Sequence, residues 1–154
     1  MRSKTVTIAL LTLALTLGPA ANAADDAAAI VRYRQTIMKL LGSHLRALGA
    51  IAKHDVSYTK HVGAHAEGIR AMAVLLPEMF PANTSPKDIR SGSKAEVWTK
   101  KAEFNKDAQN MAAAAAKLVQ LAKGKNTAAI EAQIGALGKT CGDCHDTFRV
   151  EEHD

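Results

Sequence analysis

The amino-acid sequence predicts an all-α protein, an antiparallel up-down-up-down four-helix bundle. Three observations carry that expectation. Beyond its leader the chain is rich in Ala, Leu, Lys and Gln and poor in β-branched and aromatic runs, a composition that favours helix. Apolar residues recur at steps of three and four in four separate stretches, which gives each helix one apolar face to bury. The first and third connections are short, and short connections make consecutive helices antiparallel neighbours.

The first helix is expected from about Asp26 to Ala52, with Ile30, Tyr33, Ile37, Met38, Leu41, Leu45, Leu48 and Ile51 on one side. The second runs from about Ser57 to Phe80 through His65, Ile69, Met72, Leu76 and Met79. Gly63 and Gly68 weaken its first half; Pro77 kinks or ends its last turn, and Pro81 stops it. Pro81 to Gly92, with two prolines and several small polar residues, reads as the long connection. Ser93-Lys94-Ala95-Glu96 has the form of a capping box. A third helix follows with Val97, Phe104, Ala108, Met111, Ala115, Leu118 and Ala122, and Gly124 ends it. Asn126 or Thr127 can cap the fourth, whose seam is Ile130, Ile134, Leu137, Cys141, Cys144 and Phe148. Both cysteines therefore continue the apolar seam and face the interior of the bundle.

The N-terminus has the form of a secretory leader. Arg2 and Lys4 precede an apolar run from Ile8 to Leu17, and Ala21-Asn22-Ala23 supplies a small-x-small cleavage pattern. The run is short for a membrane span. The expected organisation is a cleaved leader over residues 1–23 and one exported domain over 24–154, placed in a periplasm. Lys and Arg number 20 against 15 Asp and Glu, a formal charge of +5. Two of those cations lie in the leader, and so mild and dispersed an excess points neither to nucleic acid nor to membrane insertion.

Cys141-Gly142-Asp143-Cys144-His145 carries the chemistry. On a helix, positions i and i+3 share a face, so both sulfurs can reach the edge of one porphyrin, and the residue at i+4 can point at its iron. The spacing is that of covalent c-type haem attachment. These are the only two cysteines in the chain. Other uses are weaker. A disulfide across one helical turn closes a small strained loop, a thiol–disulfide oxidoreductase wants a βαβ setting, and a zinc site needs two more ligands.

With that motif on the last helix of a bundle, the chain resembles the cytochrome c′ / cytochrome c-556 family, closer to its low-spin c-556 members. The resemblance rests on Gly138 to Arg149 around the motif. It is supported by Tyr33 to Met38, Leu76 to Pro81, Val97-Trp98 and Phe104. It implies one haem c bound through Cys141 and Cys144, with His145 as proximal ligand and Met38 as distal ligand to the iron. It also implies that Arg34, and Gln35 beside it, line the haem edge. A His/Met iron serves one-electron transfer with redox partner proteins. The alternative is a five-coordinate cytochrome c′ that binds nitric oxide or carbon monoxide, with Met38 only packed over the metal. Family members occur as homodimers through their first two helices, and the sequence leaves monomer and dimer both open. Met72, Met79 and Met111 read as packing residues.

His61 and His65, at i and i+4, can bind zinc or copper, but two ligands alone make a weak site. His44, His54 and His153 offer no constellation. No Ser/His/Asp set or carboxylate pair shares a face. The expectation is an electron carrier, not an enzyme.

Overall fold

The computed structural model describes residues 26–151; the expected leader and His153 lie outside the described residues. Among the described residues there are five α-helices: α1 (Ala27–Ala52), α2 (Val62–Ala73), α3 (Glu96–Thr99), α4 (Lys101–Leu121) and α5 (Thr127–Phe148). α1 packs against α2 and α5, and α4 against the same two, so the four long helices close a ring with α1 and α4 on the diagonal. This is the four-helix bundle that the periodicity predicts.

Each helix starts and stops for a local reason. The Asp26 carboxylate accepts from the Ala28 and Ala29 amides at 3.4 and 3.1 Å, and Asn126 Oδ1 accepts from the Ala129 amide at 3.1 Å; these are side-chain N-caps. α1 ends in a Schellman turn, with the His54 amide donating to the Ile51 carbonyl and the Asp55 amide to the Ala50 carbonyl. His54 holds the left-handed position at φ 61°, which glycine adopts without a steric cost. Its imidazole meets Glu131 at 3.2 Å, with most of the His54 side chain in solvent, and such a pair contributes little. His54→Gly is therefore expected to stabilise the fold by about 1 kcal/mol, read as a higher urea midpoint at unchanged slope.

Three expectations are corrected. The second helix does not run from Ser57 to Phe80: a 3-10 turn covers Thr59–His61, α2 stops at Ala73, and a second 3-10 turn covers Leu76–Met79. Pro77 explains the stop, because it offers no amide to the Ala73 carbonyl four residues earlier and its ring collides with that group. The buried stripe of α2 is Val62, Ala66, Ile69 and Ala73, with His65 and Met72 only half-buried beside it. Ser93 and Glu96 form no capping box: Ser93 pairs with Arg149 in a β-bridge, and Glu96 opens the one-turn α3. The third expected helix is accordingly split at Lys100, whose backbone leaves helical geometry at φ −114°, ψ 42°.

The core runs the length of the bundle and includes Leu41, Leu48, Ile69, Phe104, Met111, Leu118, Ile134, Leu137 and Phe148. At one end an edge-to-face aromatic series joins the layers, with centroids 5.9 Å apart for Trp98–Phe80, 4.8 Å for Phe80–Phe104 and 5.3 Å for Phe104–Phe148. It ties the long connection to α4 and to the last turn of α5, next to the haem motif. Among the described residues no helix is long and apolar enough to cross a membrane.

Candidate haem site

α5 brings Thr140, Cys141, Cys144 and His145 to one wall of a partly enclosed cavity of about 210 Å³. The helical repeat does this directly, since the four residues fall within two turns on one side. α1 supplies Met38, Leu41, Gly42 and Leu45, and α4 supplies Phe104, Asp107, Ala108 and Met111, with Leu76 closing the remainder. Met38 thus borders the same space as the Cys141–His145 motif from another helix. From α4, Met111 Sδ lies 3.9 Å from Cys141 Sγ.

Both cysteines are free, half-buried thiols. Burial raises the Cys141 thiol above its ordinary pKa, opposed by a hydrogen bond from Thr140. Cys144 is pushed up to about 12 by burial, by the Asp107 charge and by Cys141. Protonated thiols resist exchange and oxidation, which proceed through the thiolate. His145 has its basicity lowered by burial and by the Arg149 charge, with Asp146 acting the other way. His145 is exposed as a residue and also lines the cavity.

The chain after the motif is held in place. The Lys94 amide donates to the Phe148 carbonyl at 2.8 Å and the Val150 amide to the Gly92 carbonyl at 3.0 Å. Lys94 Nζ donates to the Asp146 carbonyl at 2.9 Å. Residues 92–94 therefore fasten the end of α5, so His145 sits on a helix pinned on both sides.

Arg34 and Gln35, expected at the haem edge, do not line this cavity. Gln35 is exposed. Arg34 is only 2% exposed and its guanidinium enters the long connection. Nη1 donates to Thr84 Oγ1 at 2.7 Å, and Nη2 donates to the Thr84 carbonyl at 3.3 Å and to Ser91 Oγ at 2.8 Å. Its cation also lies 4.6 Å from the Phe80 centroid and 5.6 Å from that of Trp98, within cation–π range. One side chain of α1 thus serves Thr84 and Ser91 of the long connection. Arg34→Ala is expected to cost about 3 kcal/mol, because it removes the guanidinium from the Thr84 carbonyl and leaves the Thr84 hydroxyl only its bond to the Pro81 carbonyl; a lower urea midpoint for the haem-loaded protein checks it.

His44 is the residue that sequence reasoning missed. It was expected to join no constellation, yet its Nδ1 lies 3.0 Å from His65 Nδ1 across the α1–α2 interface. His65 was paired in sequence with His61, which instead stacks on Tyr58 with centroids 5.1 Å apart. Burial, then the charges of His44 and His61, keep His65 less basic than a free imidazole. No spacing in one helix could reveal a pair made by two.

These residues fit a haem: two protonated thiols one turn apart, an imidazole beside them, and apolar walls on three helices. At about 210 Å³ the cavity is narrower than a porphyrin, and the bordering Met38 and Met111 side chains are flexible enough to give way. A four-helix bundle with a Cys-x-x-Cys-His helix lining an interior cavity defines a class, the haem-bearing helical-bundle cytochromes. Comparison with known proteins narrows it. The family model described as Cytochrome C′ matches residues 29–149. The chain is 40% identical over 121 residues to a cytochrome c′ of Pararhodospirillum photometricum, covering 79% of this chain and 96% of that one. It is 33% identical over 129 residues to a cytochrome c-556 of Rhodopseudomonas palustris, covering 80% and 84%. A solved cytochrome c′ from Rhodobacter spheriodes superposes with a TM-score of 0.75 at 27% identity, over 83% of this chain and 100% of that one. The chain belongs to the cytochrome c′ family, and with it goes one covalently bound haem c with its iron.

Proposed function

We propose that this cytochrome is a periplasmic one-electron carrier in which Cys141 and Cys144 hold the haem by thioether bonds and His145 and Met38 are the axial ligands. The observation that carries the reading is the position of Met38, which borders, from α1, the cavity that the Cys141–His145 motif borders from α5. The haem, when bound, supplies reversible one-electron chemistry at iron. The chain supplies the rest. Burial and the Arg149 charge lower the basicity of His145, which favours the imidazole form that can offer a lone pair. The Met38 thioether favours ferrous iron, and the apolar walls act in the same direction by penalising the extra charge of the ferric state. Asp107, the carboxylate on the α4 wall, opposes them. A carrier that keeps both ligands in both oxidation states moves little as it turns over, which suits exchange with redox partner proteins. The haem-edge roles of Arg34 and Gln35 rest on the family resemblance alone.

A second reading is favoured by the name of the Pararhodospirillum relative, cytochrome c′: a five-coordinate iron that takes up nitric oxide or carbon monoxide, with Met38 as packing. Absorption spectra of the oxidised and reduced protein separate the two. Sharp low-spin bands indifferent to carbon monoxide support the carrier, and a broad high-spin spectrum that shifts with the gas supports the open iron.

A further inference from the structure

The pair His44–His65 has no part in the haem site, and its geometry is specific. The two Nδ1 atoms face each other at 3.0 Å, and the rings meet edge-to-face with centroids 5.3 Å apart and planes at 63°. Both side chains are half-buried between α1 and α2. The seat of His44 depends on Gly68: a β-carbon there would lie 2.7 Å from His44 Nε2, so a side chain would displace the ring. A glycine that weakens helix α2 thus makes room for an imidazole from the neighbouring helix.

We propose that His44 and His65 form a two-histidine site for copper(II), each binding through Nδ1, with water in the remaining equatorial positions. The distance decides the metal. With metal–nitrogen bonds of about 2.0–2.1 Å, nitrogens 3.0 Å apart subtend about 95° at the metal. That is the cis angle of a tetragonal centre, the geometry of copper(II) with nitrogen and oxygen ligands. Tetrahedral zinc at the same bond length needs the nitrogens about 3.3 Å apart, so the helices or rings would have to separate. The order of divalent-metal affinities also places copper above zinc. In the metal-free pair one ring donates its Nδ1 proton to the other. On binding, that proton moves to the other nitrogen of its own ring, two neutral imidazoles present two lone pairs, and no electron is transferred. The site joins α1 to α2 one residue from Leu45, which borders the haem cavity, so occupancy fixes the α1 wall of that cavity.

The test uses the haem-loaded protein in its ferric form, dialysed against copper(II) chloride and, separately, zinc chloride, in a buffer that does not chelate. One equivalent of copper per chain is expected, bound more tightly than zinc, with a tetragonal electron-paramagnetic-resonance signal split by two nitrogens. His44→Gln and His65→Gln are each expected to weaken copper binding about tenfold or more, while His61→Gln leaves it unchanged. Haem absorption and helical circular dichroism report whether each variant is folded. Uptake that survives both His44→Gln and His65→Gln overturns the proposal. So does loss on His61→Gln with His44→Gln silent, which assigns the copper to His61 and His65. The unmutated protein decides independently of any folding defect: a copper signal split by fewer than two nitrogens also overturns it.

Discussion

Met38→Ala is expected to turn sharp low-spin haem bands into a broad high-spin spectrum that shifts on adding carbon monoxide. The variant removes a thioether that borders the cavity of the Cys141–His145 motif and puts nothing in its place that can bond to iron. The reduction potential should fall by on the order of 0.1 V, a fraction of the roughly 0.8 V that axial ligation spans across haem proteins. Alanine also leaves a void, so the informative companion is Met38→Leu, which conserves volume and should change stability by less than about 1.5 kcal/mol. If Met38 is a ligand, both variants lose the low-spin spectrum together. If it only packs over an open iron, Met38→Leu is spectroscopically silent, the unmutated protein already binds the gas, and the five-coordinate reading takes its place.

Met38 also marks the limit of what the sequence can say. A methionine on an apolar face is ordinary core filler; the family resemblance singles out Met38 from Met72, Met79 and Met111, and the structure adds that it borders the cavity of the Cys141–His145 motif. What periodicity could reach, it reached. Phe104, Ala108, Met111, Ala115 and Leu118 are all buried on α4, and Ile134, Leu137 and Phe148 on α5, because a long uninterrupted helix fixes which side chains share a face. It failed where a helix is shorter than its apolar pattern. α2 ends at Ala73, so the N-terminal half of α1 meets an irregular connection instead of a helical face. There Tyr33, expected inside, is 54% exposed and Arg34 is buried in its stead. An irregular connection brings unsatisfied carbonyls and hydroxyls, and a guanidinium with five N–H donors can serve several of them where a phenol has one O–H. The same argument covers Ser93: read as a helix cap, it pairs with Arg149, because the end of α5 needs partners that only a distant segment supplies.

Three features converge on α5. The aromatic series ends on Phe148, residues 92–94 clip its last turn, and Gln133 Nε2 donates to the Ala114 carbonyl at 2.9 Å further up. If His145 is the ligand proposed above, a helix held at Gln133 and at its last turn keeps it in place as the iron changes charge. α1, which carries Met38, is held differently, by Arg34 one turn before it and by the His44–His65 pair nearly two turns after it. On the proposed ligation, the distal side depends on polar contacts between helices and the proximal side on packing and backbone pairing. Substitutions at Arg34 or His44 should change the distal ligand field while leaving the covalent attachment intact.

Replacing both cysteines, Cys141→Ser with Cys144→Ser, has the largest expected effect. The purified chain should carry no haem that survives denaturation, and its mass should equal that of the polypeptide alone. The single variants should each retain one thioether and a shifted haemochrome band. The stability consequence follows from the cavity. At about 24 cal/mol per Å³, leaving about 210 Å³ unfilled costs about 5 kcal/mol, comparable with the whole stability of a domain this size. Water offsets part of that cost near Asp107, Thr140 and His145, where it finds hydrogen-bonding partners, but not beside Leu41, Leu45, Leu76 and Phe104. The double variant is therefore expected to keep most of its helical circular dichroism with a broadened, early urea transition, the behaviour of a bundle whose central packing is loose. If instead it unfolds as sharply and as late as the haem-loaded protein, the porphyrin contributes nothing to the core and the cavity between α1, α4 and α5 is not where it sits.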